Sequence, residues 1–322
     1  MKRVGLVGGR GYVGRELLGL LRAHPSLRLA YASSRELEGR PVFDTEPALC
    51  FEALSPSDVQ SRDVDAVVLA LPNGRSADWI AALESRDSGC VIVDLSSDQR
   101  FAAGRHAGFV YGLPERCRDK LRGAWRIANP GCYATGIQLA ADPFLEVLDG
   151  PLQVFGVSGF SGAGTSPSPR NDPELLRDNL LAYHLVGHTH EREAAEQLGH
   201  EVHFTPHVAS WFRGIHLTLA FRLKRPMALE VLRQRLERRY ENEPLVRVQQ
   251  QVPRVREIVG EHHVAVGGLA ADERRAVVVA IIDNLLKGAA TQALQNLNLA
   301  LGLPEHQGLA LPGTLCRKLD PE

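Results

Sequence analysis

The sequence predicts an α/β protein in which a doubly wound parallel sheet is joined to a second, α+β unit. Three observations carry this reading. Short continuous apolar runs at residues 4–7, 27–32, 66–70 and 91–94 alternate with helix-length segments in the first part of the chain. The first run passes straight into a glycine-rich turn, Gly8-Gly9-Arg10-Gly11-Tyr12-Val13-Gly14, and then into a helical pattern. Beyond Cys132 the texture changes, with Ile215, Leu217, Leu219 and Phe221 alternating with polar or small residues. Unbroken apolar strands suit parallel sheets buried on both faces, whereas alternation suits an antiparallel strand with one half-exposed face.

Taken in order, a strand at 4–7 leads into a helix at 11–21 and a strand at 27–32, the start of a βαβ pattern. Two more strands follow at 66–70 and 91–94. A helix is expected from Thr135 through Leu139 and Leu145, then a strand at 153–158. Residues 159–173 are rich in Gly, Ser and Pro and read as a functional loop. Leu229, Val231, Leu232 and Leu236 give helical periodicity, and strands are expected at 264–269 and 276–283. The last helix, 287–301, would carry Ala290, Leu294, Leu297 and Leu301 on one face.

Composition narrows the function classes. With 37 Lys and Arg against 38 Asp and Glu in 322 residues, no global field recruits nucleic acid or an anionic membrane, so any anionic ligand must be met locally. Cys50, Cys90, Cys117, Cys132 and Cys316 are odd in number and show no CxxC spacing. This argues against a disulfide framework or a zinc site and suits a reducing cytosol. The N-terminus enters a strand without signal-peptide organisation, and no apolar stretch approaches the roughly 20 residues of a membrane span. A cytoplasmic protein is expected.

The turn after the first strand is a GxxGxxG variant of the dinucleotide fingerprint. Gly8 would allow the tight turn, Gly11 the approach of backbone to a pyrophosphate, and Gly14 close packing of helix on sheet. The pyrophosphate would lie on the helix N-terminus, beside Arg10, Tyr12 and Val13. An NAD site usually places an acidic residue at the end of the second strand; this chain has Ser33-Ser34-Arg35 there. Two hydroxyls and a guanidinium suit a 2′-phosphate and favour NADP, although Glu36 keeps NAD open.

Asn129-Pro130-Gly131-Cys132 puts a cysteine just past a rigid turn, at a helix start. Free backbone N–H groups and the positive helix end there favour thiolate over thiol and can stabilise an oxyanion on an attacked carbonyl. An activated cysteine plus a nicotinamide cofactor points to acyl–aldehyde chemistry, which needs a proton donor and acceptor near the sulfur. Among twelve histidines, His188 and His190 stand out because they follow the flexible segment and open a helical stretch ending near Leu198. His-x-His also reads as a metal pair, but no third ligand is placed by spacing, so no metal is expected. His207 is a second candidate, as a packed or a substrate-contacting residue; His262 and His263 read as a solvated turn. Ser161-Gly162-Ala163-Gly164 offers an anion-binding nest or a flexible linker, with Arg100 and Arg213 as anion partners.

Together these motifs resemble the N-acetyl-gamma-glutamyl-phosphate reductase family of the aspartate-semialdehyde dehydrogenase-like superfamily. The resemblance runs through Gly8 to Gly14, Ala70-Leu71-Pro72-Asn73-Gly74, Asp94-Leu95-Ser96, Tyr111-Gly112-Leu113-Pro114-Glu115 and Asn129-Pro130-Gly131-Cys132-Tyr133. It continues through Ser161 to Gly164, the histidine pair, Phe204-Thr205-Pro206-His207, Arg213-Gly214-Ile215 and Asp283-Asn284-Leu285-Leu286-Lys287-Gly288-Ala289-Ala290. It implies a Rossmann-type nucleotide domain at 1–131 and 285–322, and a catalytic and dimerisation domain at 132–284. It also implies NADPH-dependent reduction of an acyl phosphate substrate, with Cys132 as nucleophile, the histidine pair as acid/base and Asn284 in the turn meeting the nicotinamide. A homodimer or homotetramer follows from the same likeness. The family usually reads His-Arg-His, then Pro-Glu, where this chain has Thr189 between the histidines and Glu191-Arg192-Glu193 after them. Residues 207–212 also depart from the usual pattern. A sister reductase for an aminoadipate-type acyl phosphate, with or without a carrier protein, is the nearest alternative; a non-catalytic NADP sensor is another.

Overall fold

The computed structural model describes residues 1–86, 89–103 and 108–311. Cys316 and the end of the 285–322 segment lie outside the described residues. Two sheets form. The first takes its strands from β1 (Lys2–Val7), β2 (Leu27–Ser33), β3 (Pro41–Phe43), β4 (Glu46–Glu52), β5 (Ala66–Leu69), β6 (Val91–Asp94), β7 (Phe109–Tyr111) and β8 (Arg126–Ala128). Their order is β3-β4-β2-β1-β5-β6-β8-β7, parallel throughout except for the β3–β4 hairpin at one edge. β1 has β2 on one side and β5 on the other, so the crossover direction reverses there. In open α/β sheets that reversal opens a crevice beyond the strand carboxyl ends, and the glycine turn runs out into it.

The helices are α1 (Tyr12–Ala23), α2 (Pro56–Gln60), α3 (Ala77–Glu84), α4 (Pro114–Leu121), α5 (Cys132–Ala141), α6 (Pro173–Leu176), α7 (Thr189–Leu198), α8 (Leu229–Tyr240) and α9 (Thr291–Ala300). Leu17, Leu18 and Leu21 of α1 share a core with Val4, Leu6, Val68 and Val93 on one sheet face. Ile80 and Leu83 of α3 pack on the other face with Val7, Val67 and Ile92. Burial on both faces is what the unbroken apolar runs imply.

The second sheet has the order β10-β11-β9-β12-β15-β14-β13, from β9 (Leu148–Gly159), β10 (Leu180–Ala182), β11 (Val202–Ala209), β12 (Ile215–Leu223), β13 (Val246–Val248), β14 (Val264–Asp272) and β15 (Arg275–Ile282). β12 sends Ile215, Leu217, Leu219, Phe221 and Leu223 into a core shared with α5 and α8, while His216, Thr218 and Ala220 stay half-buried on the outer face. Phe155 lies on the outer face and is 41% exposed.

Several local expectations change. The helix after Cys132 ends at Ala141 and tightens into a 3₁₀ turn at Asp142–Val147, because Pro143 cannot donate the next helical hydrogen bond. Residues 159–173 are not a bare linker: they hold two 3₁₀ turns, Phe160–Ala163 and Pro169–Asn171. The last helix is not one-sided. It begins as a π-helical turn at Leu286–Ala290, and every residue of α9 is buried. Its polar side is buried with partners: Gln292 and Asn296 both donate to the Gly112 carbonyl, at 2.8 and 3.0 Å. Lys287, fully buried, donates to Glu115 and Gln292 at 2.7 Å each. His262 and His263 are not a solvated turn either: His263 is buried, and His262 is bonded to Thr291 at 2.7 Å.

Candidate active site

Cys132 is the first residue of α5, directly after the turn that leaves β8. The turn is pinned by Asn129, whose amide N–H donates to the Asp94 carbonyl at 2.8 Å and whose Oδ1 accepts from Asn296 at 2.9 Å. Gly131 is required by close approach. A Cβ there would lie 2.3 Å from His190 Nε2 and 2.6 Å from Arg100 Nη1. The glycine therefore lets an imidazole and a guanidinium close around the peptide that carries the sulfur.

Glu193, one helical turn after His190 on α7, organises this cluster from a fully buried position. Its carboxylate accepts from the Gly131 N–H at 2.8 Å, the Tyr111 hydroxyl at 2.7 Å and Arg100 Nη1 at 3.1 Å. Arg100 also donates to the carbonyls of Asn129 (2.8 Å) and Leu95 (2.7 Å). Sequence reasoning missed Glu193 and Tyr111. The helical i, i+3 spacing from His190 was the signal that could have found the acid. Arg100 itself reaches its place through a loop braced by Asp98, which accepts from Gly74 N at 2.8 Å and Ser76 Oγ at 2.9 Å.

The two histidines are placed differently. His188 caps α7: its Nδ1 accepts the His190 N–H at 3.1 Å. His190 turns its Nε2 toward Gly131, and its Nδ1 is buried with no hydrogen-bond partner among the described residues. Burial, followed by the neighbouring Arg100 charge, pulls His190 down to about 3, so its ring is neutral near pH 7. Burial, then the neighbouring His190, His184 and Arg170, pulls His188 down to about 3 as well.

The sulfur does not sit as a ready thiolate, which corrects the expectation from the helix start. Burial pushes the Cys132 thiol up to about 11, outweighing the Tyr133 N–H and the Arg100 charge that lower it. Desolvation of an anion is larger here than one helix end. A cleft of about 330 Å³ opens beside the sulfur, lined by Asn73, Ser97, Arg100, Cys132, Tyr133, Ser158, Gly162, Ala163, Arg170, Tyr183, His188 and His190 among others. Cys132 thus shares one cleft with both histidines and Arg100.

Other candidate residues fall elsewhere. Arg213 is not a free anion partner: it donates to Glu16 at 2.8 Å and Asp283 at 2.9 Å, tying α1 to the turn after β15. The His207 ring packs on Phe155 at 4.4 Å and bonds back to the Thr205 carbonyl at 3.3 Å; its own carbonyl accepts from Tyr133 at 2.9 Å. Its main chain, not its imidazole, supports the site. Asn284 is engaged at both ends of its amide, accepting from Gly214 N at 2.8 Å and donating to Ser161 Oγ at 2.9 Å. Ser161 is therefore a brace, Gly162 and Ala163 line the cleft, and the Gly164 carbonyl accepts from Asn171 at 3.0 Å. Among the described residues no group of three or more metal-binding side chains converges.

At the far side of the crevice the glycine turn passes a steric test for a dinucleotide. Gly8 has φ +90°, and a Cβ on it would meet the Ala70 carbonyl oxygen at 2.2 Å. A Cβ on Gly14 would meet the Gly8 carbonyl at 2.4 Å. At Gly11 the nearest protein atom would be 3.8 Å away, so the space a side chain would fill stands open at the start of α1. That open cradle fits a pyrophosphate against the helix end. The Ser33 carbonyl closes the turn by accepting from Gly8 and Gly9 at 3.2 and 3.0 Å. The Ser34 Oγ accepts the Leu37 N–H at 3.3 Å. Arg35 is exposed, and Arg10 pairs with Glu36 at 2.8 Å on the same rim. Glu36 is thereby engaged with a cation rather than turned alone toward a ribose.

Two family models match the chain: the semialdehyde dehydrogenase NAD binding domain over residues 3–124 and the semialdehyde dehydrogenase dimerisation domain over 132–284. The chain is 49% identical over 308 residues to the N-acetyl-gamma-glutamyl-phosphate reductase of Xanthomonas oryzae pv. oryzae, covering 94% of this chain and 96% of that one. It is 51% identical to the protein of that name from Stenotrophomonas maltophilia, with the same coverage. The chain belongs to the N-acetyl-gamma-glutamyl-phosphate reductase family. Its fold is also that of aspartate semialdehyde dehydrogenase II from Vibrio cholerae, at a TM-score of 0.76, 20% identity and coverage of 94% and 99%.

Membership explains why the motifs at 111–115 and 283–290 belong to this reductase. They meet through the buried Lys287–Glu115 pair, and Gly288 approaches so closely that a Cβ on it would lie 2.7 Å from the Cys132 Cβ. Together they hold the returning chain against the backbone that carries Cys132.

Proposed function

We propose that the chain catalyses NADPH-dependent reduction of N-acetyl-γ-glutamyl phosphate to N-acetylglutamate 5-semialdehyde with release of phosphate. The observation that carries this reading is a cysteine at the start of α5 facing a cleft beside a neutral imidazole, with a nucleotide cradle across the crevice. His190 accepts the thiol proton as Cys132 Sγ bonds to the acyl carbon, and phosphate leaves to give a thioester on the cysteine. NADPH, when bound, supplies the hydride that this thioester accepts. The resulting hemithioacetal alkoxide collapses to the aldehyde as the carbon–sulfur bond breaks, and the departing thiolate takes back the proton that His190 holds. The N–H groups of the first turn of α5 face the oxyanion formed in both steps. Arg100, held by Glu193, fixes the geometry around Gly131 and adds positive charge near the departing phosphate. Gly8, Arg10, Gly11, Tyr12, Val13 and Gly14 would hold the pyrophosphate, and Ser33, Ser34 and Arg35 the 2′-phosphate.

The names of the relatives favour the glutamyl phosphate over the aminoadipate alternative, and the cysteine–histidine cleft leaves a pure sensor without a reason for its chemistry. A homodimer built on the open face of the second sheet, working in the cytoplasm, completes the proposal. Among the described residues no helix is long and apolar enough to cross a membrane.

The test is NADP reduction in the reverse direction with phosphate and a panel of semialdehydes. N-acetylglutamate 5-semialdehyde should be preferred over its one-methylene-longer homologue by about 10- to 200-fold in kcat/KM. Preference for the longer aldehyde would select the aminoadipate reading. No phosphate-dependent reduction with any aldehyde, by protein that still binds NADP, would select the sensor.

A further inference from the structure

We infer that Arg170 is the residue that recognises the substrate's α-carboxylate, and so sets which aldehydes the site accepts. This rests on the acyl phosphate reading above.

The cleft is lined by two guanidinium groups, those of Arg100 and Arg170. They are not equivalent. Arg100 is buried and paired with Glu193 at 3.1 Å. Arg170 is half-buried, and among the described residues it forms no ion pair with an acid; its guanidinium lies over the Tyr183 ring, 5.0 Å from the centroid. Arg170 also hydrogen-bonds to Tyr183, and a guanidinium has five N–H donors, so these contacts leave others for a ligand. Helix α7 gives the cleft no cation of its own, because the lining residue between the two histidines is the short, uncharged Thr189. Positive charge for a second anionic group, away from Arg100, therefore comes from the 159–173 segment.

That segment presents Arg170 in a fixed place. Asn171 ties it down by accepting from Ser168 N at 2.7 Å and donating to the carbonyls of Gly164 (3.0 Å) and Ser166 (2.8 Å). A guanidinium on a braced turn loses little freedom on binding, which is what specificity for a planar carboxylate requires.

Which of the substrate's two anions it meets follows from position. The phosphate is one oxygen away from the carbon that Cys132 attacks, so it must lie beside the sulfur, where the Arg100 charge acts on the thiol. Arg170 lies against Tyr183, whose ring also packs on His188 at 5.7 Å, whereas the groups acting on the sulfur include Arg100 and not Arg170. The α-carboxylate is separated from the attacked carbon by four carbon–carbon bonds, about 5 Å of extended chain. With Arg100 beside the sulfur and Arg170 on a different element of the same cleft, the remote anion is the one assigned to Arg170.

The experiment compares N-acetylglutamate 5-semialdehyde with 4-acetamidobutanal, the same aldehyde without its carboxylate, in NADP reduction with phosphate. The wild type should prefer the carboxylated aldehyde. Arg170→Ala should raise the KM for that aldehyde by about 10- to 100-fold, the range for losing a charged hydrogen bond, with KM for phosphate changed less than about threefold. Its kcat/KM for 4-acetamidobutanal should stay near that of the wild type, so the discrimination disappears. Arg170→Lys should keep part of the preference, and it also serves if the alanine variant does not fold. Equal loss on both aldehydes, or a raised phosphate KM instead, would overturn the assignment. An inactive wild type would instead strike at the reaction itself, so the two failures are distinguishable.

Discussion

Replacing Glu193 with Gln separates two jobs that the carboxylate does at once. It accepts hydrogen bonds from Gly131 N, Tyr111 Oη and Arg100 Nη1, and its charge sits near a buried thiol. Glutamine keeps one acceptor oxygen but sets an N–H₂ against a donor wherever the second oxygen stood. The Arg100 guanidinium, 6% exposed, would lose that negative partner. Breaking a buried ion pair from one side costs about 3–5 kcal/mol, or a fall of about 4–7 °C in Tm for a chain of this size. Turnover should fall by about 100-fold, the scale set by small displacements of a reacting group, because Gly131 carries the peptide before Cys132. The sulfur should respond in the opposite sense. Burial dominates its raised position, but the Glu193 charge also lifts it while Arg100 lowers it. With the carboxylate neutralised and Arg100 still present, the thiol titrates below about 11, and iodoacetamide at pH 8 should label Cys132 faster than in the wild type. Stopped-assay turnover, calorimetry and timed alkylation read the three effects. Slower labelling, or unchanged turnover and Tm, would refute the role given to Glu193.

Cys132→Ser should lower turnover by at least about 1000-fold, because a serine hydroxyl beside the same imidazole is a far weaker nucleophile, while NADPH binding by fluorescence stays intact. Near-normal turnover would remove the nucleophile. Arg35→Ala should raise the NADPH KM by about 10- to 100-fold and leave the NADH KM nearly unchanged; equal effects would remove the 2′-phosphate argument. Stability should fall as the pH drops from about 6.5. Burial lowers His188 and His190 to about 3 and His263 to about 4, so below the unfolded value the unfolded chain binds more protons than the native one. Each such histidine contributes a slope of up to about 1.4 kcal/mol per pH unit between its folded and unfolded values, with a plateau above. His263→Gln, outside the cleft, should flatten the denaturation slope between pH 4.5 and 6 without changing activity at pH 7.5; an unchanged slope would contradict the burial argument.

Much of the fold was legible because its signals are local. Four apolar runs and one glycine turn suffice for the parallel sheet, and alternation suffices for β12. The short strands β3, β7, β8 and β13, three residues each, carry no period long enough to read. The nature of α9 was hidden for a different reason. Gln292, Gln295, Asn296 and Asn298 are polar yet buried: Gln295 and Asn298 bond to Glu305 and Gln307 just beyond the helix, but Gln292 and Asn296 bond to the Gly112 carbonyl far back in the chain. A one-sided apolar pattern cannot anticipate partners more than a hundred residues away. The same holds at the site. Cys132 and the histidine pair were legible as chemistry, whereas Arg213 and Asn284 had suitable chemistry but were already engaged by Asp283, Glu16, Gly214 and Ser161.

The resting state of the pair also constrains the order of events. A thiol pushed up to about 11 beside an imidazole pulled down to about 3 leaves both groups neutral near pH 7, so proton transfer between them is unfavourable without a compensating charge. An ion pair formed there would have to be stabilised by something not yet bound. In the proposed reaction the substrate would supply it: its anions would meet Arg170 and the charge near Arg100, and the oxygen of the attacked carbonyl would take the developing charge away from the sulfur. On that proposal deprotonation and carbon–sulfur bond formation would proceed together, with His190 acting as base during attack. A free, preformed thiolate would be open to oxidation and alkylation at any time. Coupling ionisation to acyl transfer keeps the sulfur inert until the correct electrophile fills the cleft.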